Sequence, residues 1–419
     1  MRIAVVGSGV SGLVAAHMLH PRHDVTVFEA DARVGGHANT VDVVVDGEQH
    51  AVDTGFIVYN ERNYPGFVAL LRELGVATQP TDMSFGVTDT DSGLEYRASN
   101  LNTIFAQRRN AMSTSYMRML ADILRFNRAA RELVESTAAG ADESLARFVQ
   151  RGRYSDAFVR HFLVPLGASL WSADPETFTE FPALAFARFM YNHDLLRVVG
   201  RPRWRTISGG SRHYVDTLAA RLGGRIRTSS PVHKIVGGRE RADDALLEVL
   251  TERGPEMFDR VIVAAHSDQA LRMLADATPV ERSVLGAIRY QRNTTTLHTD
   301  SRMLPRNPRA RASWNYAIGG PSRRATVTYW MNNLQSIESS RPLLVTLNRR
   351  DEIDDRAVLA EFEYAHPVFD APALSAQRRL EEIQGRRGMF FAGAYWGYGF
   401  LEDGVQSARR VVAAIDGGR

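Results

Sequence analysis

The stretch that most constrains this chain is Val5-Val6-Gly7-Ser8-Gly9-Val10-Ser11-Gly12, which joins an apolar run, "RIAVV", to a segment with helical spacing over residues 10–20. A strand that ends on glycine and turns at once into a helix has a narrow use. Gly7 permits the tight turn, Gly9 lets backbone approach a bound anion, and Gly12 lets helix and strand pack closely. The first helical N–H groups, Ser11 among them, have no intrahelical partner and can hold that anion. A second apolar strand, "DVTVFE", ends at Glu29, where a carboxylate can accept hydrogen bonds from ribose hydroxyls. Gly-x-Gly-x-x-Gly alone is a weak signal. Between this strand, this helix and this acid, it marks a dinucleotide site.

Glu29 would repel a 2′-phosphate, which disfavours NADP and leaves NAD or FAD. The following loop, "ADARVGGHANT", separates the two. Arg33, the pair Gly35-Gly36 and His37 would add charge and bare backbone at the diphosphate and flavin end, which an NAD site does not need. FAD is the expected cofactor. The plainer alternatives are an exposed Arg33 pairing with Asp31 or Glu29, and a His37 that merely hydrogen-bonds its loop. No later Gly-x-Gly-x-x-Gly follows a strand, so no second unit for NAD(P)H is expected. Electrons would then leave to oxygen, a quinone or another carrier.

The fold expected is α/β, a Rossmann-like FAD-binding domain interrupted by an α+β substrate domain. "TVDVVVDGEQHAVD" alternates around Asp46-Gly47, a hairpin signal, and "NYPGFVALLRELG" reads as a helix stopped at Gly75. Residues 81–100 are strand-like around Asp91-Ser92-Gly93, and 101–200 are helical in pattern. After "SGGS" come a helix to Gly223, strands near 225–236 and 246–251, and the buried strand "RVIVAA"; 291–365 carry "TTTLHT", "ATVTYWM" and "LLVTL". The tail offers "MFFAG" and a last helix from about 403. This assigns 1–80, 201–290 and 385–419 to the FAD domain, and 81–200 and 291–384 to the substrate domain with its helical cap.

Of 419 residues 44% are hydrophobic, and the net charge of +3 is spread over scattered arginines, since Lys234 is the only lysine. That distribution argues against a nucleic-acid surface. The absence of cysteine excludes disulfides, Cys-ligated metals, iron–sulfur clusters and a cysteinyl-linked flavin, and it fits a reducing compartment. No His, Asp or Glu cluster has metal-ligand spacing, so no metal is expected, and no Gly-x-Ser-x-Gly supports hydrolase chemistry. With no secretory pattern after Met1 and no apolar run near 20 residues, the expected location is cytoplasmic, with any membrane contact peripheral to the inner face.

"EADARVGGH" resembles the Glu-xxx-Arg-x-Gly-Gly signature of the flavoprotein superfamily that includes amine oxidases, phytoene desaturases and protoporphyrinogen oxidases. The likeness runs through "TISGGSRHYVDTLAARL", "SSPVHKI", "FDRVIVAAHSDQAL" and "FAGAYWGYGFLEDGVQSARRVV". It implies an amine oxidase-like two-domain flavoprotein. Val232 would read the adenine, and Gly393, Asp403, Gly404 and Val405 would lie at the flavin, where a helix end stabilises the reduced ring. Gly55, within "VDTGFIVYN", belongs to the same implied set. Two departures matter. Ala394 stands where amine oxidases carry an acid, which shifts ribityl binding to Asp403 or Glu402. The lysine that amine oxidases hold near flavin N5 has no counterpart, because Lys234 falls on the adenine side.

A narrower resemblance, carried by "GGHANT", "VDTGFIVYN", "SWNYAI" and "GAYWGYGF", is to bacterial FAD/NAD(P)-binding oxidoreductases that accompany cyclopropane-fatty-acyl-synthase-like methyltransferases. It implies a desaturase or dehydrogenase of unsaturated or methyl-branched fatty acyl chains, a phospholipid-borne substrate and an acyl methyltransferase partner. That subgroup often has His where this chain has Ala317 and Leu401, which keeps open a non-catalytic FAD-binding partner; a redox-neutral double-bond isomerase and an amine oxidase-type flavoenzyme, the latter disfavoured by the missing lysine, are the other readings. Glu402 and Tyr395 are the expected proton-handling residues, from position alone.

Tyr395, Trp396, Tyr398 and Phe400, with Trp314, Tyr316, Tyr329 and Trp330, are candidates to line an apolar tunnel, or else ordinary core. In the 110–135 segment Tyr116, Leu120, Ile123 and Leu124 recur at helical spacing among Arg118, Arg125, Arg128 and Arg131. That pattern fits a membrane-interfacial helix, and better a solvated cap helix.

Overall fold

The structure, a computed structural model, describes residues 1–136, 143–197, 200, 202–237, 246–320 and 324–417. Its N-terminal sheet is built from β1 (Arg2–Val6), β2 (Asp24–Phe28), β3 (Ile226–Arg227), β4 (Arg260–Val263) and β5 (Met389–Phe391), in the order β3-β2-β1-β4-β5. Every pairing in it is parallel. Such a sheet is covered on both faces, which explains why its strands read as unbroken apolar runs. Alternate residues serve opposite layers. Ile3, Val5, Val25, Val27 and Ile262 pack in one core cluster, whereas Ala4, Val6, Phe28, Val261 and Val263 pack in the other.

Four helices frame the functional regions: α1 (Val10–Leu19), α2 (Pro65–Leu74), α3 (Thr114–Glu135) and α4 (Leu401–Gly417). The first core cluster joins α1, α2 and α4 through Leu13, Ala16, Phe67, Leu71, Ala408 and Val412. α2 ends where Gly75 adopts φ 69°, a left-handed cap that glycine takes without strain. The hairpin expected at Asp46-Gly47 forms, Thr40–Val45 pairing with Glu48–Asp53, with both turn residues at positive φ (50° and 88°).

A second sheet of seven strands runs Val358–Val368, Arg289–His298, Leu344–Leu347, Val327–Trp330, Trp314–Ile318, Phe85–Asp89, Leu94–Arg97. Only the Trp314–Ile318 and Phe85–Asp89 pair is parallel. Between the two sheets the chain crosses through a small three-stranded sheet in which Trp204–Ile207 pairs with Tyr59–Asn60 and Thr78–Thr81. The helical expectation for 101–200 is met by α3, Leu145–Arg151, Val164–Trp171 and Ala183–Asn192, and its segments 137–142 and 198–199 lie outside the described residues. No described helix is long and apolar enough to cross a membrane.

The structure separates the two readings of the 110–135 segment in favour of the cap helix. In α3, Tyr116 is buried and its hydroxyl donates to Ile104 O (2.6 Å), while Leu120 and Ile123 pack against the cap core; of the four residues read as one interfacial stripe, only Leu124 is exposed. The helix buries Met119, Phe126 and Ala130 on an adjoining face, so its apolar pattern belongs mainly to the cap core.

Candidate active site

Residues after the carboxyl ends of β1 and β4 meet where the strand order reverses, the position at which open α/β sheets bind ligands. Gly7 turns there with φ 103°, and a Cβ on it would sit 2.7 Å from Ala264 O. A Cβ on Gly12 would sit 1.9 Å from Gly7 O, so α1 and β1 pack too closely for any side chain. At Gly9, by contrast, an added Cβ meets nothing within 4 Å. The first two glycine requirements are internal to the fold; the third leaves open space at a helix N-terminus.

The second loop closes over this turn. Gly35 N donates to Ser8 O (3.0 Å), and a Cβ on Gly36 would lie 3.1 Å from Gly9 Cα. Both glycines have positive φ (111° and 57°). Arg33 is exposed and holds the loop from outside, its guanidinium donating to Gly36 O (2.7 Å) and, more weakly, to Val34 O and Ala38 O (3.4 Å each). It makes no ion pair with Asp31 or Glu29 among the described residues. Gly55 fits beneath the loop, since a Cβ there would be 2.1 Å from His37 O.

Glu29 follows directly on β2. Its Oε2 accepts from Ser8 N (2.8 Å) and its Oε1 from Asp31 N (2.9 Å). The adjacent segment runs back along it, Ser230 N donating to Glu29 O (2.8 Å) just before the buried Val232. Lys234, two residues further, is exposed on a strand edge.

The C-terminal motif arrives at the same place. Ser11 Oγ donates to Gly404 O (3.1 Å), and a Cβ on Gly404 would be 2.7 Å from Val10 Cγ1 and 3.0 Å from Ser11 Oγ. The N-termini of α1 and α4 therefore lie side by side, and their partial positive charges add at one point. Val405 is buried between them and the core, and Gly393 N donates to Ser407 Oγ (3.1 Å). Asp403 folds back on its own turn, accepting from Phe400 N (2.9 Å), and burial pushes its carboxyl up to about 6. Glu402 points elsewhere: its two oxygens accept from Gly66 N (2.9 Å) and Phe67 N (2.8 Å), capping α2. Leu401 packs partly buried against the same core, and Ala317 sits in the second sheet with its N–H donating to Thr326 O (3.0 Å).

Beside Gly36 the structure gathers groups whose company no spacing announced. His37, from the loop, lies 5.9 Å ring to ring from His266, which follows β4, and 5.5 Å from His366, on the edge strand Val358–Val368. Tyr364 lies 5.1 Å from His37 and receives Asn39 Nδ2 (2.9 Å). Tyr290 stacks on His266 at 4.3 Å, and Tyr395 stands one ring beyond it at 6.5 Å. Burial, reinforced by the neighbouring imidazoles, lowers His37 to about 3 and His366 to about 4; burial also lowers His266. All three are neutral at physiological pH. His37 Nε2 and the Tyr395 hydroxyl are buried without a hydrogen-bond partner among the described residues. No group of described His, Cys, Asp or Glu side chains is placed to hold a metal ion.

On the other side of the C-terminal loop, Tyr398 and Phe400 join Trp171 and Phe189 of the cap. Phe189 stacks on Phe400 at 5.1 Å, and Trp171 Nε1 donates to Tyr398 O (2.9 Å). Trp314 and Tyr329 meet edge to face at 5.0 Å, Tyr329 packing against the cap cluster as well as its own, and Tyr395 and Trp396 belong to the core beneath β4 and β5. The eight aromatics thus do not form one wall: Tyr316, Tyr329, Tyr398 and Phe400 pack in the cap cluster, whereas Trp314, Trp330, Tyr395 and Trp396 belong to other clusters.

Comparison with known proteins agrees with this geometry. The family model for flavin containing amine oxidoreductase matches residues 10–299. Protoporphyrinogen oxidase 2, chloroplastic/mitochondrial, of Arabidopsis thaliana is 63% identical over 41 residues, a stretch covering 10% of this chain and 8% of that protein. Among solved structures, cyclohexylamine oxidase of Brevibacterium oxydans IH-35A superposes with a TM-score of 0.70 at 16% identity, covering 100% of this chain and 99% of its own. Putrescine oxidase bound to putrescine gives 0.69 at 17%, covering 100% and 99%. The CLA-producing fatty acid isomerase of P. acnes gives 0.67 at 16%, covering 99% and 98%. A doubled helix N-terminus, two glycine loops face to face and a ribose-side carboxylate fit FAD as the cofactor, and this chain belongs to the flavin containing amine oxidoreductase family as an FAD-dependent oxidoreductase.

Proposed function

We propose that the enzyme is a desaturase or dehydrogenase that withdraws a hydride from an unsaturated or methyl-branched fatty acyl chain to flavin N5, while a protein base takes the proton from the adjacent carbon and the new C=C forms. The observation that carries this reading is the apolar cluster in which the buried Trp171 and Phe189 back the partly exposed Tyr398 and Phe400 beside the C-terminal motif, with the chain's one lysine exposed on the far, adenine side. A long alkyl chain gains about 0.8 kcal/mol per methylene buried against such a surface. A small ammonium ion gains nothing there and loses its hydration.

FAD, when bound, supplies the two-electron acceptor. The chain's own residues hold and shield it: Gly9, Gly36 and the first turns of α1 and α4 offer N–H groups to its anionic parts, and Glu29 its carboxylate to the ribose. His37 Nε2, buried and without a partner among the described residues, offers a neutral hydrogen-bonding atom, since burial lowers His37 to about 3 and makes it a poor base; Tyr395, reached past His266 and Tyr290, remains the candidate for proton handling. Glu402 is bound into the α2 cap and is the weaker candidate.

A second reading, double-bond isomerisation, draws support from the likeness to a fatty acid isomerase. Lipid extracts from cells with and without the protein separate the two by mass spectrometry. The desaturase predicts an acyl product lighter by two hydrogens, and the isomerase a moved double bond at unchanged mass. Unchanged lipids with altered amines would overturn both.

A further inference from the structure

Where the helical cap begins, the chain exposes apolar side chains that its own core does not use. Leu101 is 75% exposed, Met112 85% and Met117 45%, and the first two are the most exposed of all the large hydrophobic residues described. They sit at one end of the cap. The Tyr116 hydroxyl, just before Met117, donates to Ile104 O (2.6 Å), and Arg108 Nη1, on the turn carrying Met112, donates to Asn102 O (3.3 Å) beside Leu101.

The charge around them is one-sided. Residues 101–131 contain Arg108, Arg109, Arg118, Arg125, Arg128 and Arg131 against a single acid, Asp122. Asp122 is buried and paired with Arg125, and Arg128 pairs with Glu132 further along α3. Arg108, Arg109 and Arg118, the three nearest the apolar tip, form no ion pair among the described residues. They are exposed: Arg109 reaches only Gly93 O at 3.3 Å, and Arg108 is tied to its own turn.

We infer that this end of the cap docks on the surface of an anionic phospholipid bilayer, Leu101, Met112 and Met117 entering the acyl boundary and Arg108, Arg109 and Arg118 lying among the headgroups. Methionine and leucine side chains ringed by unpaired arginine match a surface that is negative outside and apolar just beneath. The residues differ from the α3 stripe suggested by periodicity, which is mostly core. The inference deepens the proposed function, since an acyl chain carried on a phospholipid is reached at the bilayer, and it is tested without turnover so that either can fail alone.

The test is sedimentation of the FAD-loaded protein with vesicles of phosphatidylcholine alone or with about 30% phosphatidylglycerol, followed by flavin absorbance. Wild type should pellet with the anionic vesicles, and salt of about 0.5 M should weaken it by shortening the screening length. Leu101→Glu/Met112→Glu/Met117→Glu should stay in the supernatant with its flavin bound, which shows it folded. Arg108→Ala/Arg109→Ala/Arg118→Ala should lose on the order of 100-fold in apparent affinity, roughly fivefold per arginine near the surface. Wild type that ignores both vesicles, or a Glu variant that pellets like wild type, overturns the inference. So does a concentration-dependent dimer abolished by the Glu substitutions, which would assign the patch to a second copy of the chain.

Discussion

Replacing Gly9 with alanine separates the fold from the cofactor. Gly9 has φ −64° and ψ 177°, extended backbone that alanine adopts freely. A Cβ there touches nothing within 4 Å. Restricting the unfolded chain stabilises by about 0.4–1 kcal/mol, and alanine is worse than glycine at a helix N-cap by a similar amount. The apoprotein should therefore unfold within about 1 kcal/mol of wild type. The cofactor responds differently, because the methyl occupies the open space beside Gly9 at the N-terminus of α1. Displacing the diphosphate from one or two first-turn N–H groups removes charge-assisted hydrogen bonds worth about 1.5–3 kcal/mol each. A loss of ~3 kcal/mol is roughly 100-fold in Kd for FAD. Urea unfolding of the apoprotein and quenching of flavin fluorescence on titration measure the two effects. Gly12→Ala supplies the contrast: its Cβ would overlap Gly7 O at 1.9 Å, so stability and FAD affinity should fall together. An FAD affinity unchanged by Gly9→Ala, or an apoprotein unfolded by it, would refute the placement of the diphosphate.

Arg33→Ala removes the guanidinium that holds Gly36 O, and should weaken FAD binding about tenfold, one hydrogen bond to a charged group, without moving the apoprotein melt. Glu402→Ala uncaps α2 and should lower stability by about 1 kcal/mol in urea, while Glu402→Gln leaves the rate of substrate-driven flavin bleaching intact; a collapse of that rate would restore Glu402 as a proton carrier. Asp53, fully buried beneath Thr40 and Ser211, is raised by burial from 3.8 to about 6. Its folded form holds a proton that its unfolded form has already lost across that window, so its contribution makes stability fall as pH rises from about 4 to about 6. Asp53→Asn should flatten that slope in denaturation curves taken at successive pH values, and an unaltered slope would show that Asp53 does not titrate there.

The parts of this molecule that sequence made legible are those in which neighbours along the chain decide the outcome. Gly7 and Gly12 announced a strand–helix turn because only glycine tolerates the contacts found there, and Asp46-Gly47 and Gly75 announced a hairpin and a helix stop because both need positive φ. What stayed hidden depends on distant segments meeting. His37, His266 and His366 are each solitary in sequence and converge only because a loop after β2, a loop after β4 and an edge strand of the second sheet share one crevice. The sole usable signal was "VAAHSD", a histidine three residues after the end of a buried strand of the nucleotide sheet. Glu402 was misleading for the same reason: its place next to the flavin motif suggested chemistry, whereas α2, more than three hundred residues earlier, takes both its oxygens. Helix α3 packs more than one of its faces, so its apolar periodicity reported burial and could not single out the side chains left in solvent.

The most direct test of the account is anaerobic titration of the FAD-loaded protein with a phospholipid bearing unsaturated or methyl-branched acyl chains, the visible flavin spectrum recorded at each addition. Lasting loss of the flavin absorbance, with an acyl product two hydrogens lighter recovered from the same cuvette, is the predicted result. A spectrum that every such lipid leaves unchanged, but that a simple primary amine bleaches, would contradict it.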